Sequence, residues 1–295
     1  MPGESLRDDV AGGVGAEAEP GHARGDAPEH VRAPVSGDGG RPLREGVARD
    51  DVELPAPGRA DPPAGALSCR RQHAPGCGCA DGDTVGPDGG RRLAGGPRFD
   101  LRVAPGGYLW WYLDGVSDDG RDAVSLIAFV GSVFSPYYAW RGRVRPDDHC
   151  ALNVALYGRR GRWSMTERGV HSVTRDATSF GAGPSRLDWD GTALTVTIDE
   201  TAVPHLSPVR GTVRLIPEAL TVYEAALDTA GRHAWRPYAP LARIEVDLDR
   251  PGIRWSGHGY MDANCGTRGL ETDFVHWNWS RARLARGDRA RIFYE

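Results

Sequence analysis

The sequence predicts an all-β protein, an antiparallel sandwich or barrel, and three observations support that prediction. After Phe99 the chain consists of short apolar or alternating runs, which are typical of β-strands. Turn signals such as SDDGRD from Ser117 and DWDG from Asp188 separate these runs. Hardly any stretch has the 3.6-residue period of an amphipathic helix. Many short strands joined by regular turns favour an antiparallel sandwich or barrel.

The clearest predicted strands share apolar, β-branched or aromatic side chains in runs bounded by turn residues. They are residues 107–115, 123–132, 150–158, 162–168, 193–200, 209–217, 242–249 and 271–284. Residues 109–113 carry large side chains on both faces, which favours a strand that packs outward against a neighbour and lines an apolar cavity with its other face. A filled core is the alternative, and aromatic strands more often serve that purpose.

Composition divides the chain at Pro97. Residues 1–97 contain 32 glycines and prolines and no aromatic residue, whereas all 24 aromatic residues follow. Such a segment cannot bury enough apolar surface to offset the entropy of ordering. Residues 1–97 are therefore predicted to be disordered, or to be a mis-annotated translation of GC-rich DNA ahead of a later start codon.

Charge and motifs exclude several classes of function. The net charge of -4, with mixed signs, gives no basic footprint for nucleic acid. Residues 123–134, the longest apolar run, fall short of the roughly 20 residues of a spanning helix. Glycine-rich phosphate loops and hydrolase motifs are absent, and the spacing of Cys69, His73, Cys77 and Cys79 matches no usual zinc pattern. We therefore predict no cofactor and no metal, and the odd cysteine count favours reduced thiols in a cytoplasmic protein.

Asp262 is the strongest candidate for chemistry. If residues 259–264 are extended, Tyr260, Asp262 and Asn264 share one face of the strand. If that face is buried, desolvation raises the pKa of the carboxyl group, which becomes a plausible acid at neutral pH. The alternative is a turn aspartate that binds nearby backbone amides.

The sequence after Phe99 resembles the carotenoid 1,2-hydratases, or hydroxyneurosporene synthases, of photosynthetic bacteria. The resemblance is carried by FDLRVAPGGYLWWYLDGVSDDG from Phe99, LIAFVGSVFSPYYAWRGR from Leu126, DHCALNVALYG from Asp148, RWSMTERG from Arg162 and GHGYMDANCG from Gly257. The family is similar to AttH-like proteins, so the resemblance implies two lipocalin-like antiparallel β-barrels, here over residues 98–184 and 185–295. Residues 289–295 look like an interrupted strand, so the second barrel is expected to be truncated.

The resemblance also implies an activity. The family adds water, without a cofactor, across the terminal C1=C2 bond of acyclic carotenoids such as neurosporene and lycopene. This chain is accordingly expected to be a hydro-lyase of carotenoid biosynthesis, cytoplasmic and peripherally associated with the membrane that carries its substrate. Two alternatives stay open. One is a lipocalin-like carrier of polyenes or lipids, favoured by an exposed or hydrogen-bond-saturated Asp262, and the other is an inactive fragment.

Four functional positions of the family match His233, Trp235, Tyr260 and Asp262. Hydration requires a proton at C2 and capture of the resulting C1 cation by water, and we predict that Asp262 donates the proton. Trp235 and Tyr260 are predicted to face the cation with π density. His233 could orient Asp262, position the water or accept the proton that the water loses. Its alternative is a structural loop histidine.

Two further sets of residues are left open. Residues 276–279 form a strand-like segment that either walls the same pocket or, more commonly, supplies core and surface side chains. Glu167, Arg168 and His171 are the stand-ins if Asp262 proves to be exposed.

Overall fold

The described part of the chain is almost entirely β-structure. The computed structural model describes residues 52–55, 96–284 and 289–294. Within these residues the protein has fifteen β-strands and two short α-helices. The prediction of an all-β fold is confirmed.

The regular elements follow one another with short connections. The strands are β1 (Val52–Pro55), β2 (Tyr108–Ser117), β3 (Ala123–Val130), β4 (Cys150–Tyr157), β5 (Arg162–Arg168), β6 (Val173–Arg175), β7 (Ser179–Ala182), β8 (Ser185–Trp189), β9 (Leu194–Ala202), β10 (Ser207–Pro217), β11 (Ala225–Ala226), β12 (His233–Arg250), β13 (Ile253–Gly266), β14 (Trp279–Arg283) and β15 (Arg289–Tyr294). The helices are α1 (Pro136–Trp140) and α2 (Leu270–Asp273).

A twelve-stranded antiparallel sheet forms most of the structure. Its order is β5-β4-β3-β2-β13-β12-β10-β9-β8-β7-β6, with β11 paired to β12. The sheet curls until its β5 edge meets the end of β9, where the Val203 N–H donates to the Trp163 carbonyl at 2.9 Å. Arg168 of β5 also donates to the buried Glu200 of β9 at 2.9 Å. The result is a nearly closed barrel.

Strand β2 presents a different cluster on each face. Trp111 lies in the barrel core, where its ring contacts Phe99 at 4.8 Å and Phe180 at 5.7 Å between centroids. On the opposite face, Tyr112 packs against a smaller cluster that contains Tyr260. The outward packing predicted for residues 109–113 is confirmed. On the barrel side of β2 the structure has a filled core, so the alternative interpretation is the correct one there.

A second, three-stranded sheet of order β1-β15-β14 lies outside the barrel sheet. Val52 pairs with Ile292 in its antiparallel register. Strand β1 therefore forms inside the segment predicted to be disordered, where its backbone pairs with that of β15. Residues 1–51 and 56–95 of that segment lie outside the described residues.

Most of the predicted strands are present. Seven of the eight correspond to β2, β3, β4, β5, β9, β10 and the second half of β12. The strand predicted for residues 271–284 was wrong in part, because the first residues of that segment belong to α2. Glu271 and Asp273 lie in the first turn of that helix, where negative charge is favourable. The short strands β6 to β8 were not predicted. Strands β7 and β8, on either side of the expected boundary at residue 184, pair with each other.

The two cysteines among the described residues differ in bonding state. Cys150 is a buried free thiol, whereas Cys265 is disulfide-bonded, so the expectation of reduced thiols is corrected for Cys265.

No helix in the described ranges is long and apolar enough to cross a membrane. The described residues contain no group of three or more metal-ligating side chains. The cysteine and histidine cluster at residues 69–79 lies outside them.

Candidate active site

Asp262 lies on β13, which pairs with β2 on one side and with β12 on the other. Strand β13 pairs with β2 so that Asp262 is directly opposite Tyr112. On its other side β13 pairs with β12, which places Trp235 opposite Asn264. Cross-strand partners project to the same face of a sheet. The predicted alternation is confirmed, and Asp262 is 2% exposed.

The two carboxylate oxygens of Asp262 have different surroundings. Its Oδ2 atom accepts from Trp235 Nε1 at 2.8 Å and from Tyr260 Oη at 2.7 Å. Its Oδ1 atom is buried and has no hydrogen-bond partner among the described residues. A buried charged oxygen without a partner is costly, and protonation removes that cost. Oδ1 is therefore the atom on which a proton is expected.

Burial raises the pKa of Asp262 to about 7, although the hydrogen bonds from Tyr260 and Trp235 lower it. The charge of Asp114 raises the pKa further, and the charge of Arg281 opposes that effect. A carboxyl group with a pKa near neutrality is matched to general acid catalysis.

The Asp114–Arg281 ion pair borders the buried carboxyl group. Asp114 of β2 lies opposite Tyr260 in the register, and Arg281 of β14 donates to it from Nε at 2.8 Å. Tyr112 also donates to Asp114, at 3.0 Å. The Arg281 guanidinium lies over the Tyr260 ring, 5.4 Å from its centroid. The pair therefore places one positive and one negative charge beside Asp262, and neither residue was predicted from the sequence.

A row of aromatic rings leads from the carboxyl group to the surface. Consecutive centroids are 5.0 to 6.2 Å apart along Trp235, Tyr294, Trp277, Trp110, Phe129 and Phe134. Phe134 is 56% exposed, whereas Trp235 is 2% exposed. We call these six rings the aromatic row. It joins the neighbourhood of Asp262 to the loop after β3.

His233 begins β12, is fully buried and belongs to a separate network. Its Nε2 atom lies 2.9 Å from Asp273 Oδ2, and its Nδ1 atom lies 2.9 Å from Tyr108 Oη. A carboxylate only accepts, so Nε2 carries a hydrogen and, in the neutral ring, Nδ1 accepts from Tyr108. Gly266 makes this approach possible, because a Cβ there would lie 2.6 Å from His233 Nδ1 and 2.4 Å from the Tyr108 ring.

The structure thus brings three of the four predicted residues together. Trp235, Tyr260 and Asp262 share hydrogen bonds, whereas no hydrogen bond joins His233 to Asp262 in the described part of the chain. The loop interpretation of His233 is wrong, because this buried residue lies in a β-strand. Asp262 is not a turn aspartate.

Each of the two interpretations of residues 276–279 holds for part of the segment: two side chains pack near the candidate site and two lie at the surface. Trp279 packs on Tyr260 at 5.2 Å between centroids, and Trp277 belongs to the aromatic row. His276 and Asn278 are exposed. The stand-ins are not required, since Asp262 is buried. Glu167 instead binds His149 at 2.6 Å.

A surface depression of about 380 Å³ lies elsewhere, between the β4–β5 hairpin and the turn after β9. Tyr157, Trp163 and Pro204 are among the residues that line it. None of its lining residues contacts Asp262, so this depression is not part of the candidate site.

Comparison with known proteins identifies the family to which this chain is similar. Residues 126–295 match the family model for the carotenoid hydratase CrtC. The chain is 54% identical over 257 residues to the acyclic carotenoid 1,2-hydratase of Thiocapsa roseopersicina, a match that covers 86% of this chain and 64% of that protein. It is 53% identical over 285 residues to the acyclic carotenoid 1,2-hydratase of Rubrivivax gelatinosus, covering 94% and 69%. The chain therefore spans about two thirds of the length of these relatives.

The match to the Rubrivivax gelatinosus protein covers 94% of this chain, so it extends into the segment before Pro97. A solved AttH-like protein of Nitrosomonas europaea is similar with a TM-score of 0.41 and 15% identity, covering 61% of this chain and 57% of that one.

Proposed function

The chain belongs to the carotenoid hydratase CrtC family, and from that membership we propose that it adds water, without a cofactor, to the terminal C1=C2 bond of an acyclic carotenoid such as neurosporene or lycopene. The observation that carries this proposal is the buried Asp262, which has one free oxygen and a pKa raised to about 7. The product is a tertiary alcohol with its hydroxyl group on C1.

In the proposed reaction, Asp262 transfers the proton from Oδ1 to C2. The π electrons of the double bond form the new C2–H bond and leave a tertiary cation at C1. A lone pair of water forms the C1–O bond, and the water loses one proton. Tyr260 and Trp235 hold Oδ2 in place throughout, which stabilises the carboxylate that the transfer leaves.

Stabilisation of the cation falls mainly to the indole ring of Trp235. Cation–π attraction is of order 2 kcal/mol or more when the cation is desolvated. Arg281 already lies over the Tyr260 ring, so Tyr260 is assigned chiefly to the hydrogen bond with Asp262.

His233 is proposed to accept the proton that the water loses, through the Tyr108 hydroxyl group. Asp273 orients the ring through Nε2 and stabilises the imidazolium, an arrangement that carboxylate and histidine pairs use in other enzymes. His233 then releases this proton to solvent and Asp262 regains one from solvent, which returns both groups to their starting states and completes the cycle. Of the roles predicted for His233, orientation of Asp262 has no support, because both ring nitrogens have other partners.

A carrier that leaves the polyene unchanged is the weaker proposal. It would be favoured by an exposed or hydrogen-bond-saturated Asp262. Asp262 is instead 2% exposed, and its Oδ1 atom has no partner among the described residues.

The proposed function is accompanied by a proposed second barrel and a proposed contact with the membrane. We propose that the β1-β15-β14 sheet forms part of a second lipocalin-like barrel, because it packs over its own cluster of Trp235, Tyr260 and Ile292. We also propose that the protein is cytoplasmic and, because a polyene substrate resides in a bilayer, that it contacts that membrane peripherally. The domain boundaries at residues 97 and 184 stay predictions.

Isotope labelling tests the proposed function directly. The purified chain is incubated with lycopene or neurosporene in D2O, and the product is analysed by mass spectrometry after exchange of its hydroxyl deuterium. We expect a product with deuterium at C2, and with oxygen from H2¹⁸O at C1 in a parallel reaction. Recovery of unchanged polyene bound to the protein would instead identify a carrier.

Replacement of Trp235 by phenylalanine is expected to extend activity to higher pH. The Trp235 hydrogen bond lowers the pKa of Asp262, so its loss raises that pKa. The acid then stays protonated to higher pH, so the alkaline limb of the pH–rate profile moves to higher pH. Trp279→Phe is the matched control, because Trp279 Nε1 has no partner among the described residues. Equal shifts in both variants would contradict the assignment.

A further inference from the structure

We propose that the loop around α1 docks on an anionic lipid surface and delivers the polyene to the aromatic row. We call residues 133–145 the docking loop. This inference rests on the proposed function, because a long acyclic polyene is available to the enzyme only from a bilayer. The exposed side chains, the rigidity, the charge and the position of the loop support it.

The docking loop exposes four large apolar side chains in one short segment. Phe134 is 56% exposed, Tyr137 58%, Trp140 77% and Val144 58%. The rings of Tyr137 and Trp140 contact each other edge to face at 5.5 Å. Exposed apolar groups concentrated in this way mark an interaction surface. Tryptophan and tyrosine are the aromatic residues preferred at the boundary between a membrane and water.

The exposure is imposed by the fold rather than by fraying. Ser135 caps α1 by accepting from the Tyr138 N–H at 3.0 Å. Tyr138 is fully buried, donates to the Gly107 carbonyl at 2.7 Å and packs on His149 at 4.9 Å. This anchor holds one face of the five-residue helix against the barrel. Tyr137 and Trp140 consequently point outward from a fixed backbone.

The charges of the docking loop favour acidic headgroups. Arg141 is exposed and forms no ion pair with any described residue, whereas Arg143 and Arg145 pair with Glu271 and Asp148. The two acids just after the loop already have partners, Asp147 with Arg175 and Asp148 with Arg145. Basic side chains beside exposed aromatic residues are the composition of segments that lie in an anionic membrane interface.

The position of the loop connects it to Asp262. Phe134 is both a member of the docking loop and the exposed end of the aromatic row, whose other end is Trp235. Trp235 donates to the carboxyl group of Asp262. A polyene that leaves the bilayer at the loop would therefore meet aromatic rings along the whole distance to the acid. A protein partner would not account for this continuity.

Vesicle binding tests the docking loop without any turnover. The full chain is sedimented with phosphatidylcholine vesicles that contain phosphatidylglycerol. The double variant Tyr137→Ser/Trp140→Ser is expected to bind at least about tenfold more weakly, because burial of each aromatic ring stabilises the bound state. Trp163→Ser, at an exposed tryptophan of β5 (46% exposed), is the matched control and should bind like the wild type.

Arg141→Gln provides an independent variant that leaves every apolar contact in place. It is expected to weaken binding about fivefold to vesicles with phosphatidylglycerol and to have no effect with phosphatidylcholine alone. Equal binding by the double variant and Trp163→Ser would overturn the proposal. So would a wild type that binds neither vesicle, or a loop-dependent dimer without vesicle binding.

Turnover separates this inference from the proposed function. The rate with lycopene in vesicles is divided by the rate with lycopene in detergent micelles, and this ratio is expected to fall about tenfold in the double variant. A wild type that binds vesicles through the loop but hydrates no polyene would refute the proposed function alone. An unchanged ratio in an active double variant would refute the docking loop alone.

Discussion

Replacement of Asp262 by asparagine is expected to lower the rate of carotenoid hydration by about 10²–10⁴-fold, the contribution typical of a general acid. The amide keeps the shape of the side chain, and its oxygen can still accept from Trp235 and Tyr260. The proton on Oδ1 is lost, and nothing else in the cluster can supply one at neutral pH. The measurement is conversion of lycopene or neurosporene by the purified protein, followed by chromatography.

Asp188→Asn is the matched control for that experiment. Asp188 makes an exposed ion pair with Arg186 in β8, so the same chemical change there should leave the rate within about twofold. Circular dichroism of both variants establishes that the fold is retained. A rate for Asp262→Asn within a few-fold of the wild type would refute the assignment of Asp262 as the proton donor.

The face of β13 was predictable from sequence because it depends only on local geometry. Alternation along an extended chain places Tyr260, Asp262 and Asn264 on one side whatever the rest of the fold does. The aromatic side chains of the segment then predict a buried environment. Resemblance to the hydratases added Trp235 and His233, which local periodicity could not have connected to Asp262.

The partners of those residues were not predictable, because they come from distant parts of the chain. Arg281 reaches Asp114 across 167 positions, and Tyr108 reaches His233 across 125. A single sequence reveals which face a side chain occupies but not which strand lies opposite. Asp114 ends an apolar run, and Arg281 alternates with Trp279 in the sequence. In retrospect these two local patterns were the available signals.

The helix α2 had the largest effect on the interpretation of His233. Residues 271–284 were predicted to be one strand, in which the backbone at Asp273 would be extended. The structure instead turns at residues 270–273, and Asp273 reaches His233. Misassignment of the first residues of this segment was therefore enough to hide the partner of a candidate catalytic residue.

The buried acid is also expected to make the stability of the protein fall as pH rises. The pKa of Asp262 is about 7 in the folded protein and 3.8 in the reference state. Below both values the group is protonated in both states, so it then favours neither. Between them the unfolded chain releases the proton and the folded protein retains it, so unfolding becomes easier with each unit of pH. Across the whole interval this group should lower the free energy of unfolding by about 4 kcal/mol.

Asp262→Asn removes this titration, so the variant should gain stability relative to the wild type as pH rises. Urea unfolding of both proteins from about pH 5 to about pH 8 measures the difference, which is expected to widen up to pH 7 and then to level off. The contributions of other titrating groups cancel, because they are common to both proteins, and the stability of Asp188→Asn should change with pH in parallel with that of the wild type.

A difference in stability that does not change with pH would mean that Asp262 is already ionised in the folded protein. An ionised carboxylate could not protonate an alkene, so that result would also remove the basis of the proposed reaction. Loss of activity with gain of stability at alkaline pH is therefore the combination that identifies Asp262 as an acid kept neutral by the fold.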